Sequence, residues 1–128
     1  SEHNVQRHVT SIEHNYFDPV VEGMAMVFKQ GGTGYRSRLD SIQLCGKTGT
    51  AQVWDSDEGR YSSSIFIPSF VGVFPCEEPK LVCAISFYKP DLEYKWASSE
   101  AVPTVKSVLR KILIKDKELT VEIANESN

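Results

Sequence analysis

The 128-residue sequence predicts an α+β domain in which about three antiparallel strands are flanked by helices. Two observations support this prediction. Apolar residues recur at helical spacing in two widely separated stretches, and short apolar segments rich in β-branched residues lie between those stretches. The connection between the last two apolar segments, Pro75–Lys80, is short and turn-like, as in an antiparallel hairpin. Residues 18–114 are predicted to form the core, with an irregular lead-in at 1–17 and a polar tail at 115–128.

The first helix is predicted to begin at Asp18-Pro19, with the aspartate as N-cap and the proline in the first turn. The pair Gly31-Gly32 is expected to end it, because glycine tolerates a positive φ. One stripe of this helix is apolar. Its members are Val20, Val21, Met24, Val27 and Phe28.

Ile42-Gln43-Leu44 alternates like a strand and leads into Cys45. Two further strands are predicted at Ser69–Phe74 and Leu81–Tyr88. The last of these is apolar almost throughout, which predicts burial on both faces. Together these segments give the expected sheet.

Residues 53–64 are polar and predict an exposed hairpin loop that turns at Glu58-Gly59. The acidic residues of this loop lack the ligand spacing of a calcium site. Three histidines occur near the start of the chain, with no cysteine or carboxylate cluster beside them. They are His3, His8 and His14. No metal site and no cofactor are therefore expected.

A final helix is predicted from about Ser99 to Ile114, with one apolar stripe along it. The stripe consists of Val105, Val108, Leu109, Ile112 and Leu113. Basic residues in its second half suit the helix dipole, and Lys106, Arg110 and Lys111 are expected to face water. The charged segment from Lys115 onward is expected to fray.

Composition excludes several classes of function. A net charge of −3 argues against nucleic acid as a main partner, since phosphate binding requires clustered Lys and Arg. No apolar run approaches the roughly 18 residues that span a bilayer. The cysteines Cys45, Cys76 and Cys83 match no zinc or C-x-x-C pattern. Cys45 and Cys83 lie in apolar runs and are expected to be buried free thiols.

The most informative segment runs from Cys45 to Gln52 and contains Lys47-Thr48-Gly49. A fixed positive charge, a short hydroxyl and an approachable backbone are the groups needed to hold a carboxylate beside a reacting carbonyl. A phosphate-binding loop would need Gly at position 41, where Ser41 stands. The residues before the segment are also strand-like, so nucleotide binding is rejected.

In order along the chain, several segments resemble the transpeptidase domain of penicillin-binding proteins. The resemblance covers nearly the whole sequence and favours a class B enzyme of septal or elongation type. The matching segments are Val20–Met24, Gly31–Gly34, Gly46–Gln52, Pro68–Pro75, Glu78–Lys80, Tyr88–Pro90 and Val102–Ile112. The fold implied is part of the penicillin-binding protein and β-lactamase type.

The resemblance implies that a Ser in Ser-x-x-Lys attacks the D-Ala-D-Ala carbonyl of a stem peptide to form an acyl-enzyme. Lys47 would supply positive potential and proton-relay support, and Thr48 would bind the terminal carboxylate of the peptide or of a β-lactam. Gly49 would keep the strand edge open. The backbone N–H of Thr50 would be half of the oxyanion hole.

Two of the family's three motifs lack a credible copy. No Ser-x-Asn occurs, and the one Ser-x-x-Lys, Ser86–Lys89, follows the Lys-Thr-Gly segment and lies on a predicted strand. Residues three apart on a strand point to opposite faces, so we interpret this match as coincidental. The chain is therefore expected to be the C-terminal portion of a larger enzyme, inactive alone and unable to form a covalent penicillin adduct.

The implied partners of the full-length protein are peptidoglycan stem peptides, β-lactams and proteins of the division or elongation machinery. The implied location is the periplasmic face of the bacterial inner membrane. In the family the Leu81–Tyr88 strand has neighbours that this chain lacks, so its free edge predicts self-association. Two alternatives remain: a non-catalytic binding or scaffolding module of the same fold, and a β-lactamase fragment.

Overall fold

The computed structural model describes residues 11–39, 42–88 and 95–116. They form two α-helices, α1 (Asp18–Met26) and α2 (Ala101–Lys115), and three strands. The strands are β1 (Cys45–Asp55), β2 (Arg60–Phe74) and β3 (Leu81–Ser86), with short 3₁₀ helices at His14–Tyr16 and Tyr35–Ser37. The sheet order is β1-β2-β3 and both pairings are antiparallel. The predicted fold class is confirmed.

The main core lies between α2 and one face of the sheet. Phe70 and Phe74 of β2 pack there against the buried side of α2, together with Phe28, Leu44 and Ala97. The buried residues of α2 are Ala101, Val102, Val105 and Leu109. Val108 of the predicted stripe is 42% exposed instead, because the helix meets the sheet along a stripe that continues through Ala101 and Val102.

The opposite face of the sheet is covered only near the start of β1. Helix α1 packs there through Ala25, with Val21 and Met24 beside it, onto Cys45 and Val73. Val20 of the predicted stripe is exposed. A small second core therefore fixes the end of β1 that precedes the Lys-Thr-Gly segment.

The ends of α1 differ from the prediction. Asp18 is the first helical residue, and Phe17 is the N-cap with no side-chain hydrogen bond. The α-helix ends at Met26, before Gly31-Gly32, because the next turns close by hydrogen bonds between residues three apart instead of four, such as Phe28 N–H to the carbonyl of Ala25. Gly31 then takes a φ of 87°, which reverses the chain.

The polar stretch 53–64 is mostly strand, so the prediction of a long loop there is wrong. The turn occupies only residues 56–59 and contains the predicted pair Glu58-Gly59. Asp55 Oδ1 closes it by accepting hydrogen bonds from the N–H groups of Asp57 and Glu58. Because this turn is tight, both strands extend to it. At its other end, β1 begins at Cys45, and Ile42–Leu44 lie outside it.

Strand β3 is not buried on both faces, as its apolar sequence had predicted. Exposure alternates along it, and Val82 is 73% exposed. Only the face toward α2 is covered among the described residues, because α1 reaches no farther than the end of the sheet at Cys45 and Val73. The strand also ends at Ser86, two residues earlier than predicted.

The prediction of a free thiol at Cys45 is wrong, because Cys45 forms a disulfide with Cys76. Cys45 pairs with Val73 across the hairpin, and the chain then turns back so that the N–H of Cys76 donates to the carbonyl of Gln43 at 3.0 Å. The two Cα atoms are 5.1 Å apart, within disulfide range. Cys83 is a free, half-buried thiol. His3, His8 and the tail beyond Asp116 lie outside the described residues.

Candidate active site

The Lys-Thr-Gly segment lies on β1, an edge strand of the sheet that the described residues form. Its cross-strand neighbours are all on β2: Lys47 opposes Val71, Thr48 opposes Phe70, Gly49 opposes Ser69 and Thr50 opposes Pro68. One side of β1 is therefore paired throughout the segment. The other side is the sheet edge, where a ligand in extended conformation can lie beside it.

Lys47 is exposed, and its Nζ donates a hydrogen bond to the carbonyl oxygen of Thr48 at 2.7 Å. The ammonium group is thus folded back along the strand edge. This contact places a positive charge next to the residue whose hydroxyl was predicted to bind a carboxylate. The roles of Lys47 and Thr48 stay predictions.

A second hydroxyl, that of Thr33, accompanies Thr48. The two Oγ1 atoms are 3.0 Å apart, although the residues are 15 positions apart in sequence. The Gly31–Gly34 loop is part of the family resemblance, but the sequence alone indicates no role for Thr33. A threonine in a glycine loop upstream of Lys47-Thr48-Gly49, hereafter the box, was the available signal, but only the fold shows that the loop reaches β1.

The loop that carries Thr33 is held by aromatic packing beneath it. Phe28 contacts Phe70 edge to face, with ring centroids 5.9 Å apart. A Cβ at Gly34 would lie 2.9 Å from the Phe28 ring, so glycine allows the loop to fold directly onto that ring. The N–H of Gly34 also donates to the carbonyl of Val27 at 2.8 Å.

Phe70 occupies a slot made by two glycines. Gly46 and Gly72 face each other across β1 and β2, and a Cβ at either would collide with the Phe70 ring. Phe70 is also the cross-strand neighbour of Thr48. One buried ring therefore touches the backbone under the box and the aromatic residue that supports Thr33.

The contact of Gly49 with β2 favours glycine at this position. A Cβ there would lie 2.8 Å from Oγ of Ser69 on β2. This side-chain oxygen can rotate away, so the restriction is mild. The predicted roles of Gly49 at the free edge and of the Thr50 N–H in an oxyanion hole stay predictions.

Ser86, the serine of the coincidental Ser-x-x-Lys match, is the last residue of β3. It opposes Ser69, which in turn opposes Gly49, so β2 separates Ser86 from the box strand. Two strand spacings amount to about 10 Å. The Lys89 of that match lies outside the described residues.

Within the part of the chain that the structure describes, no group of three or more His, Cys, Asp or Glu could hold a metal ion. The same ranges contain no helix whose length and apolar character would let it cross a membrane.

Comparison with known proteins gives a consistent result. The sequence model of the penicillin binding protein transpeptidase domain matches residues 1–110. A peptidoglycan D,D-transpeptidase FtsI homolog from Chlorokybus atmophyticus is 34% identical over 93 residues, which are 72% of this chain and 14% of that protein. Stage V sporulation protein D of Bacillus subtilis is 32% identical over 79 residues, 62% of this chain and 12% of that protein. The chain thus spans about a seventh of the length of the first of these relatives and about an eighth of the second.

Solved structures show the same fold. The transpeptidase domain of Burkholderia pseudomallei penicillin-binding protein 3 superposes with a TM-score of 0.63 at 24% identity, covering 75% of this chain and 28% of that one. Pseudomonas aeruginosa PBP2 in complex with WCK 5153 gives a TM-score of 0.63 at 25% identity, over 84% of this chain and 22% of that one. With a family match over most of its length and the box on an edge strand, the chain belongs to the penicillin-binding protein transpeptidase domain family.

Proposed function

We propose that this chain forms the Lys-Thr-Gly wall of a peptidoglycan D,D-transpeptidase site and binds the terminal carboxylate of a D-Ala-D-Ala stem peptide. β-Lactams would occupy the same place. The observation that carries this proposal is the hydroxyl pair Thr33–Thr48 at a free strand edge, with the ammonium group of Lys47 beside it.

The geometry suits a carboxylate because its two oxygens accept hydrogen bonds and cannot donate them. Thr33 and Thr48 would each donate to one oxygen, giving up the hydrogen bond that now joins them. Lys47 would add a charge-assisted attraction, which is stronger than a bond between neutral groups. The three groups come from two segments that only the folded chain brings together.

The reaction itself follows the family's chemistry. A serine Oγ attacks the penultimate D-Ala carbonyl, the terminal D-Ala leaves, and the amine of a second stem peptide displaces the enzyme. The Thr50 N–H would stabilise the oxyanion of each tetrahedral intermediate. The nucleophile would come from a Ser-x-x-Lys motif on another segment, since Ser86 lies across β2 from the box strand.

The Cys45–Cys76 disulfide supports a location outside the reducing cytosol. A location on the periplasmic side of a membrane, where peptidoglycan is cross-linked, meets this condition. Division or elongation proteins would then be partners of the same enzyme. Intact mass under non-reducing conditions, measured before and after thiol alkylation, tests the disulfide directly.

The binding proposal is tested by replacing Thr48 with valine, which removes the hydroxyl and keeps the shape. Loss of a hydrogen bond to a charged group costs about 1.5–3 kcal/mol, so non-covalent affinity for a peptide ending in D-Ala-D-Ala should fall at least tenfold. Thr33→Val should cause a loss of the same kind. Thr104→Val on α2 is the matched control and should leave the affinity unchanged. Unchanged affinity in Thr48→Val would overturn the proposal.

A further inference from the structure

We propose that Trp54 and Tyr61 form a docking platform for the sugar rings of the glycan strand that carries the stem peptide. This inference rests on the function proposed above and extends it from the carboxylate to the opposite end of the substrate. The platform is continuous with the candidate site, because Trp54 lies on the same strand as Lys47 and Thr48.

The two rings are neighbours across the end of the β1–β2 hairpin. Trp54 opposes Tyr61, and the rings meet edge to face with centroids 5.3 Å apart and an interplanar angle of 84°. Both remain open to solvent, at 54% for Trp54 and 61% for Tyr61. The pair supports the hairpin, yet it leaves most of its apolar surface unused.

The hairpin tip is set by its own polar contacts. Asp55 Oδ1 accepts hydrogen bonds from two turn N–H groups, and Arg60 forms an ion pair with Glu58 at 2.7 Å. Gly59 takes a φ of 64°, a conformation that favours glycine in the turn. The aromatic pair is therefore presented by a turn whose shape does not depend on a ligand.

The direction of the bound peptide follows from the proposed roles of the box. Its terminal carboxylate lies at Thr48 and the preceding carbonyl at Thr50. The rest of the peptide must then continue toward Gln52 and Trp54, antiparallel to β1. The N-terminal end of the stem peptide, which is joined to the sugar, points at the aromatic pair.

The lengths also match. Trp54 is six residues beyond Thr48, which at the rise of a β-strand is about 20 Å. An extended stem peptide of about five residues spans roughly 17 Å. A peptide anchored at Thr48 thus ends within about one residue of the aromatic pair.

The chemistry of the tip suits a sugar. Sugar rings have apolar C–H faces and a rim of hydroxyl and amide groups, so they need an aromatic surface with polar groups around it. Trp54 and Tyr61 supply the surface, and the adjoining turn carries the polar residues Asp57, Glu58 and Arg60. The acidic residues of the turn disfavour a nucleic acid, whose phosphates they would repel.

Three probes test the platform by isothermal titration calorimetry: a stem peptide ending in D-Ala-D-Ala, the same peptide on its N-acetylglucosamine–N-acetylmuramic acid disaccharide, and a peptide-free N-acetylglucosamine tetramer. We expect the disaccharide-linked peptide to bind about tenfold more tightly than the free peptide. Trp54→Ala and Tyr61→Ala should remove that advantage while leaving affinity for the free peptide unchanged. Tyr16→Ala, an exposed tyrosine elsewhere, is the control and should keep the advantage.

The outcomes separate this inference from the proposed function. If the free peptide binds in a Thr48-dependent way but the disaccharide adds no affinity, the platform is overturned and the carboxylate site stands. If the free peptide does not bind, yet the disaccharide-linked peptide and the tetramer both bind in a Trp54-dependent way, the carboxylate site fails and sugar binding stands. If the disaccharide-linked peptide still binds more tightly than the free peptide in both aromatic variants, the platform is also overturned. Trp54→Phe keeps a ring and should retain part of the difference in affinity.

Discussion

The two halves of the β1–β2 hairpin are built differently. In the proximal half, Cys45–Gly49 pair with Ser69–Val73, and that part of β2 also pairs with β3. Helix α2 covers one face of this half, and α1 with the disulfide covers the start of the other. In the distal half, Thr50–Gln52 pair with Phe66–Pro68, and after a register shift Trp54 and Asp55 pair with Tyr61 and Arg60. Strand β3 is absent here, and most side chains are partly or fully exposed.

The box lies where these two halves meet. In the proximal half β2 pairs with a strand on each side and α2 covers one face, so the backbone of Lys47, Thr48 and Gly49 is held in place. Beyond Thr50 the hairpin continues as two strands without β3, and most of its side chains are partly or fully exposed. One hairpin thus combines a well-packed half with an open one.

Phe70→Ala tests the rigidity of the proximal half and should have the largest effect. The ring is almost fully buried between Gly46, Gly72 and Phe28, and its removal should lower the free energy of unfolding by about 3–5 kcal/mol. Urea denaturation measures this. Tyr61→Ala is the distal counterpart and should cost only about 0.2–1 kcal/mol. Equal losses would show that the two halves do not differ in support.

Removing the disulfide should have the next largest effect. Cys45 and Cys76 are 31 residues apart, and a bridge of that span typically contributes about 2–4 kcal/mol. The double variant Cys45→Ala/Cys76→Ala should therefore melt at lower temperature in calorimetry. Its control is Cys83→Ala, which removes a free thiol and should change stability less. The rate of amide hydrogen exchange should rise more at Gly46 and Lys47 than at the hairpin tip.

The smallest effect is expected at the β3 edge, which we propose to mediate self-association. Val82 is highly exposed on this outer strand, so Val82→Lys should reduce the weight-average mass at high concentration in light scattering. Val108→Lys places the same charge on exposed α2 surface and should leave association unchanged. A monomer at all concentrations in the unmodified chain would contradict the proposal.

Patterns that depend on neighbouring residues predicted the structure well. The helical stripes located α1 and α2, and the turn-like Pro75–Lys80 segment correctly separated β2 from β3. The family was correctly predicted from the residue types and order of the box and its flanking segments. These features are local, and their signals survive in a single sequence.

Features that depend on pairing across the chain were missed. The polar stretch 53–64 looked like a loop because its stabilising contact, Trp54 against Tyr61, joins two strands. Cys45 was predicted to be an isolated thiol because only the pairing of β2 with β1 brings Cys76 beside it. Thr33 meets Thr48 only because Phe28 and Phe70 pack beneath them. In each case the information lies in the register of the sheet.

The glycine slot around Phe70 has a consequence for altering ligand preference. The same ring opposes Thr48 and supports, through Phe28, the loop that carries Thr33. A change in ring size at position 70 would therefore displace each hydroxyl by a different route, Thr48 directly and Thr33 through Phe28, and alter the gap between them. The width of the carboxylate clamp is thus adjustable from inside the protein, by residues that never touch the ligand.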